Sequence, residues 1–230
     1  MQGGGMVNCT VAGNRARSCP PNSPGYGAGV YVESGGITNS IIFGNFLYGC
    51  VNSEDDWFNA DGGAFDHCCT APDPGGAGNL ALDPQFVDPT NGDFRVLPSS
   101  LCVAAGAAQD WMASAFDLDA NPRTTYGFVD MGAYQRQFAT PQNRAEGIIG
   151  AVTFLIGQGV LSHGQGSGLT ATARQSEKSM NAGRVSTACN QLRAFVHQVS
   201  SLFREGALSA AQAQALTNQA NSLRAAVGCQ

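Results

Sequence analysis

Two ten-residue segments of this chain, Gly5–Asn14 (GMVNCTVAGN) and Gly36–Asn45 (GITNSIIFGN), align without a gap at an offset of 31. Gly5/Gly36, Asn8/Asn39, Gly13/Gly44 and Asn14/Asn45 are identities. Short β-branched runs punctuated by Asn and Gly, repeating every few tens of residues, mark stacked strands of a β-solenoid. The match runs on, because Cys19 and Cys50 each lie five residues beyond the second Asn. Equivalent residues of successive coils stack about 4.8 Å apart, and a disulfide spans Cα atoms about 4.4–6.8 Å apart. A Cys19–Cys50 bridge between coils is therefore expected. The insertion Cys19–Gly27 should bulge as a loop. A fainter third coil follows, with Phe65–Thr70 where Ile37–Ile42 would recur, so that His67 falls over Asn39 and Cys68 over Ser40. Between them runs Asn52–Asp61, an acidic loop holding two aromatic residues.

Charge separates the two ends of the chain. Residues 1–140 carry five arginines against 14 acids, a balance of −9, and residues 141–230 carry seven basic residues against three acids, a balance of +4. The acidic first part argues against a nucleic-acid surface and suits cations or neutral sugars. No segment approaches the length of apolar sequence that spans a membrane. Eight cysteines without a C-x-x-C pair point to disulfides in an oxidising compartment rather than to a zinc ribbon or thioredoxin-like site. Patterned sequence begins at once, with no signal-peptide pattern, so we expect a piece of a longer secreted or surface-attached chain that lacks its native start.

The stretch from Asn79 to Tyr134 reads GN, LDPQFVD, GDFRVLPSSLC, AAG, DLDANPR and VDMGAY in that order. It resembles the end of bacterial right-handed parallel β-helix proteins of the choice-of-anchor Q type, in which these motifs usually read GN, DPxFVD, GDFRL, SPCIDAG, DLDGNPR and VDMGAYE. The resemblance covers about residues 3–138 and implies a right-handed parallel β-helix, its last coils and its cap, in a secreted protein. Ser100–Gly106 lacks the Pro and the Asp of SPCIDAG, Ala120 stands where Gly is usual, and Gln135 where Glu is usual. Adjacent cysteines rarely pair with each other, so one of Cys68 and Cys69 is expected to bond Cys102 of the SPC-like motif.

Beyond Pro141 the period changes to that of helices. Ile148, Ile149, Val152 and Leu155 share one face. The region is duplicated at an offset of 47, pairing Ile148/Phe195, Val152/Val199, Leu155/Leu202, Gly159/Gly206, Leu161/Leu208, Ser162/Ser209, Leu169/Leu216 and Ala173/Ala220. Each copy reads as a helix, a Gly stop, a Ser N-cap and a second helix, and two such hairpins make a four-helix antiparallel module. The pattern resembles the FIMAH-type helical domain of bacterial secreted enzymes and surface proteins. Antiparallel helices bring Cys189 and Cys229 together, so a bridge is expected there. The domains are then 1–140, β-helix coils and cap, and 141–230, duplicated helical hairpins.

Three groups are candidate sites. Glu54, Asp55, Asp56 and Asp61, with Trp57 and Phe58 among them, could hold a sugar between carboxylates and aromatic faces. Paired carboxylates could equally serve glycoside hydrolysis, and Arg15 and Arg17 are the basic residues a polysaccharide lyase would need. The rival reading of loop 54–66 is accordingly a carbohydrate-active enzyme, lyase or hydrolase, whose catalytic candidates are Asp55, Asp56, Arg15 and Arg17. Asp117-x-Asp119-x-Asn121 has the alternating oxygens of a calcium loop, although Pro122 follows where Gly is usual; the alternative is a structural turn in which Arg123 pairs with a carboxylate such as Asp130. His67 beside Cys68 and Cys69 reads as a ladder position and core, not as a metal site. The reading that best fits is a secreted or surface-attached segment for adhesion, display or binding of a polysaccharide or cell-surface glycan.

Overall fold

In the computed structural model, which describes residues 2–18, 27–49 and 53–229, the offset of 31 is a strand register. Strands β1 (Gln2–Val7), β2 (Thr10–Ala12) and β3 (Arg15–Ser18) form one turn of chain, and β4 (Val30–Val32), β5 (Ser34–Thr38), β6 (Ile41–Phe43) and β7 (Phe46–Gly49) the next. Gly5 pairs with Gly36, Thr10 with Ile41 and Arg15 with Phe46, all in parallel. After β8 (Ser53–Glu54), which runs antiparallel to β7, a third turn supplies β9 (Trp57–Asn59), β10 (Ala64–Asp66) and β11 (Cys69–Thr70). Phe65 pairs with Ile37 and Cys69 with Ile41, again parallel. The expected bridge between Cys19 and Cys50 lies outside the described residues.

The repeated Asn is a backbone requirement. Asn8, Asn39 and His67 stack at one corner with φ of 51°, 50° and 52°. Asn visits this left-handed region more readily than most residues because its short polar side chain bonds locally. His67 takes the place of a third Asn, as its alignment over Asn39 suggested. The second repeated Asn forms an amide ladder: Asn14 Nδ2 donates to Asn45 Oδ1 at 2.9 Å, and Asn45 Nδ2 donates to Val11 O at 3.0 Å.

Alternation along the strands splits the apolar residues between two interiors. Ile37, Ile42, Phe65 and Cys68 fill the space inside the turns. Their neighbours Ile41 and Cys69 face the other way, into a core that continues through Leu80, Val96, Leu101, Cys102 and Met131 of the cap to Ile148, Phe195 and Leu216 of the helices. The cap contains an antiparallel hairpin, β12 (Phe86–Asp88) and β13 (Asp93–Val96), and a return segment fastened to the corner of the turns. Asn39 Nδ2 donates to Ala107 O at 2.8 Å while its Oδ1 accepts from Ala107 N at 2.7 Å. Gly132 N donates to Asn39 O at 2.7 Å. A Cβ on Gly132 would come within 2.8 Å of both Ile41 and Thr10, which explains a glycine in VDMGAY. Ala120, in place of the usual Gly, has φ of 61°, a conformation that Gly adopts at no steric cost.

Helices α1 (Pro141–Gly157), α2 (His163–Asn181), α3 (Val185–Arg204) and α4 (Ala210–Ala226) follow. The duplication is visible atom for atom. Ser162 and Ser209 each close a capping box with Gln165 and Gln212, and Gly159 and Gly206 both hold positive φ before them. Ile148, Val152 and Leu155 of α1 and Phe195, Val199 and Leu202 of α3 are buried. Cys189 and Cys229 are bonded, Cα atoms 5.6 Å apart across 40 residues; closing a loop of that length contributes about 4 kcal/mol in the chain-entropy account. The module is packed on the cap. Gln219 Nε2 donates to Ser100 O at 2.8 Å, and Asn218 Nδ2 to Ala104 O at 3.0 Å. The Arg144 guanidinium lies 4.4 Å from the Phe138 ring centre and donates to Ser222 Oγ at 2.6 Å.

Two glycines of the helices separate propensity from packing. In an open helical position Gly→Ala stabilises by about 1 kcal/mol. Gly168 of α2 has nothing within 4 Å of an added Cβ, whereas on Gly147 of α1 that atom would lie 2.6 Å from the Pro98 carbonyl oxygen. Gly168→Ala should raise the melting temperature by a few degrees and Gly147→Ala should lower it, since backbone cannot step aside. Equal gains in both, measured by thermal unfolding, would show that α1 does not rest on the cap.

Candidate functional site

The acidic loop does not bring its carboxylates to one place. Asp56 is 3% exposed and turns inward as a third rung of the amide ladder. Its Oδ1 accepts from Asn45 N at 2.8 Å and from Asn45 Nδ2 at 2.9 Å. Burial raises its pKa, and the bonds from Asn45 oppose the rise. Asp55 turns instead toward Gly27, whose N–H it accepts at 2.8 Å. Glu54 and Asp61 are exposed. Trp57 is half-buried: its ring lies 5.2 Å from that of Phe65 and its Nε1 donates to Pro72 O at 3.0 Å. Phe58 stacks on Tyr31 of the preceding turn at 5.4 Å. Arg15 and Arg17 are exposed on β3, in register with Phe46 and Tyr48; Glu54 pairs with Phe46 from the other side. Asp55, Asp56 and Trp57 thus serve the turn, and Glu54, Phe58 and Asp61 are left as the loop's contribution to a surface.

The triplet Asp117, Asp119, Asn121 is a hydrogen-bonded turn. Asp117 Oδ1 accepts from Asp119 N and Asn121 N at 2.9 and 2.7 Å, and its Oδ2 accepts from Gln135 N at 2.7 Å. Asp119 points away to Arg95, which grips it through two bonds of 2.6 and 2.8 Å. That pairing lowers the Asp119 pKa. Arg95 also stacks over Tyr134, 5.1 Å from its ring centre, so GDFR, DLDANPR and MGAY are joined through this one guanidinium. For the calcium expectation, the structure directs backbone N–H groups at the Asp117 oxygens and turns Asp119 to Arg95, so that the two carboxylates face different partners. Among the described residues no three His, Cys, Asp or Glu side chains are grouped to hold a metal ion. Arg123 hydrogen-bonds Gly132 O instead of forming the expected pair with Asp130, whose charge it feels from nearby.

Asp130 is the buried acid that sequence reading undervalued. It is 1% exposed and accepts from Ala104 N at 2.7 Å and Arg136 N at 2.5 Å. Desolvation pushes its pKa up to about 6, against the pull of those bonds and of Arg123 and Arg144. Gln135 Oε1 accepts from Asp130 N at 2.9 Å; the amide in place of a Glu keeps a second negative charge out of this pocket.

The feature that sequence reading missed is an open cleft of about 530 Å³ between the turns, the cap hairpin and α1. Phe43, Phe86, Phe94 and Phe154 line it, with Leu97, Pro89 and the glycines Gly13 and Gly44. Its polar lining residues are Asp83 and Gln85. Gln85 has φ of 57°, and its side-chain oxygen has no hydrogen-bond partner. Phe86 meets Phe94 edge-on at 5.3 Å. No local motif announces this site, because its walls come from four separated stretches. The only hint was that Phe43, Phe86 and Phe94 are aromatic at strand positions whose neighbours already supply the core.

Residues 145–225 match the model of the FIMAH domain. The match spans the four helices and bears out the resemblance read from the duplication. No curated protein and no solved structure matches the chain. No helix among the described residues is long and apolar enough to cross a membrane. The FIMAH module, its disulfide and the strands stacked beneath it are consistent with an extracellular or surface location.

Two predictions concern the buried acids. If Asp56 is a ladder rung, Asp56→Asn, which keeps an acceptor oxygen, should melt within a few degrees of wild type. Asp56→Ala, which strands the Asn45 donors, should cost about 2–4 kcal/mol in denaturant unfolding. Asp130, with a pKa raised from 3.8 to about 6, favours the fold when protonated. Its contribution is full below pH 3.8 and is lost as pH rises through 6, and a displacement of that size corresponds to roughly 3 kcal/mol at most. Thermal stability should therefore rise on acidification from pH 7 to 4.5, and Asp130→Asn should remove much of that rise. An identical pH profile in the variant would disprove the assignment.

Proposed function

We propose that this chain is the end of a secreted or surface-attached protein that displays a carbohydrate-binding surface. In this reading residues 1–140 are the last coils and cap of a right-handed parallel β-helix of the choice-of-anchor Q type, and residues 141–230 are the FIMAH domain docked on it. The parallel registers of 31 and 28 residues and the ordered cap motifs support the β-helix. The FIMAH match supports the surface-related role. The observation that carries the binding function is the aromatic cleft. Half-buried phenylalanine rings suit the apolar faces of a sugar, while the exposed Asp83 carboxylate offers acceptors to its hydroxyl groups. No Lys, Arg or His lines the cleft, so its ligand is a neutral sugar and not a uronate or sulfated chain. Glu54, Phe58 and Asp61 form a second, more open contact on the acidic loop.

The carbohydrate-active alternative needs a pair of carboxylates flanking the scissile bond. Asp83 is the carboxylate in the lining of the cleft, and Asp55 and Asp56 on the loop are turned to different partners. Retention of a sugar fits this arrangement better than cleavage. Saturation-transfer NMR and calorimetry against neutral and uronate oligosaccharides check the proposal. Neutral oligosaccharides should bind saturably, and Leu97→Trp, which fills the cleft, should weaken them at least tenfold without lowering the melting temperature by more than a few degrees. Binding that survives Leu97→Trp but is lost in Asp61→Asn would move the site to the loop. Release of reducing ends or unsaturated products would establish the enzyme reading instead.

A further inference from the structure

The aromatic cleft does not end at its own wall. Leu97, 38% exposed, lines both the cleft and a second hollow of about 460 Å³. Arg136 and Gln137 in turn line both that hollow and a third of about 350 Å³. The three hollows are therefore consecutive stretches of one groove, which begins at the junction of cap and helices and runs out over the cap. Asn143, Gly147 and Phe154 of α1 mark its course along the helix. Spacings of four and seven residues keep these three on one helix face, and the run covers about 16 Å along the axis at the usual rise per residue. The facing wall belongs to the cap, through Leu97, Pro98 and Ser99.

We propose that this groove binds an extended stretch of a neutral polysaccharide, with the aromatic cleft as one of several consecutive subsites. The proposal rests on the sugar-binding reading of the cleft given above and extends it from a single unit to a chain. Charge agrees with a neutral ligand. Arg95 and Arg136 line the second and third hollows together with Asp119 and Glu146, so the two signs offset one another. Groups that meet sugar hydroxyls are spread along the length. Gln137 Nε2 donates to Gln135 O at 3.2 Å, which leaves its Oε1 to accept. Asn143 accepts from the Thr140 hydroxyl through Oδ1 at 3.1 Å and presents its Nδ2. The Glu146 side chain is exposed between them. Leu97, Phe138 and Tyr134 supply apolar surface for the faces of the rings.

The walls are held in place by the fold itself. Arg95 is clamped by Asp119 and Asp93, and Arg136 donates to Val96 O at 3.3 Å. The close approach of Gly147 to the Pro98 carbonyl fixes α1 against the cap. Side chains already ordered lose little freedom on binding, and a chain loses its translational and rotational freedom only once however many subsites it fills. Affinity should therefore climb with ligand length until the groove is full. Because α1 forms one wall and the cap the other, the bound chain lies across both domains.

The test is calorimetry on the full chain with its Cys189–Cys229 bond intact; Cys68, Cys69 and Cys102 are buried free thiols, without the bridge expected among them, and line none of the hollows. The probes are the disaccharide and hexasaccharide of the glucose, mannose and xylose series. In at least one series the hexasaccharide should bind at least tenfold tighter than the disaccharide, more than the extra registers of a longer chain supply. Glu146→Trp, at an exposed helical position on the second hollow, should weaken the hexasaccharide at least tenfold and leave the disaccharide unchanged, with a melting temperature within a few degrees of wild type. Gln137→Ala should act in the same direction to a smaller extent. Leu97→Trp should weaken both lengths. A hexasaccharide that binds no tighter than the disaccharide, or that keeps its affinity in both Glu146→Trp and Gln137→Ala, would overturn the groove and leave the cleft standing. Absence of binding in every series would reject the cleft and the groove together.

Discussion

The corner occupied by Asn39 holds the two halves of the strand region together. Its backbone sits in the left-handed conformation that lets the chain turn from β5 to β6. Its side-chain amide is used twice on Ala107, and its carbonyl oxygen accepts from Gly132. One buried residue therefore sets the turn geometry and the position of the cap. A buried amide satisfied on both ends tolerates little substitution, because any partner lost leaves a desolvated group behind. Asn8, one turn away, holds the same left-handed conformation and donates through Nδ2 to the backbone carbonyl of Asp130 at 3.2 Å.

From this corner the packing runs outward without a break. Ile41 and Cys69 share one core with cap and helix residues, and α1 and α4 rest on the cap. The FIMAH module consequently does two things. It is a self-consistent pair of helical hairpins with its own caps and disulfide, and it closes the core of the neighbouring strands. Gly147 and Gly150 permit this closeness, since an added Cβ would strike Pro98 and Ser99 respectively. The cleft arises from the same docking, because Phe154 of α1 forms one wall and the cap hairpin another.

Much of the charged inventory proves to be architectural. Arg95, Asp119 and Tyr134 tie three cap motifs together, and Asp117 organises a turn. Asp56 extends an amide ladder whose other rungs were legible as repeated Asn. Sequence spacing alone represents such acids as candidates for cations or catalysis, because it counts oxygens without their hydrogen-bond partners. The aromatic cleft was overlooked for the converse reason. Its residues look like ordinary strand and helix apolar positions, and only their convergence leaves rings uncovered.

The sequence by itself determined the repeats. An offset of 31 became a parallel register, and an offset of 47 became two capped helical hairpins, because identical local chemistry meets identical backbone demands: Asn at left-handed corners, Ser at helix starts, Gly after helix ends. It also placed Cys189 against Cys229, since antiparallel helices of similar length return their ends to one another. Only the tertiary structure decided which way adjacent side chains face. Strand alternation sends Cys68 and Cys69 into different cores, and Asp55 and Asp56 to different partners, yet no local pattern says which core lies on which side. That choice is made by the shared apolar interior, where the area to be buried by cap and helices together fixes the orientation of every strand that contributes to it.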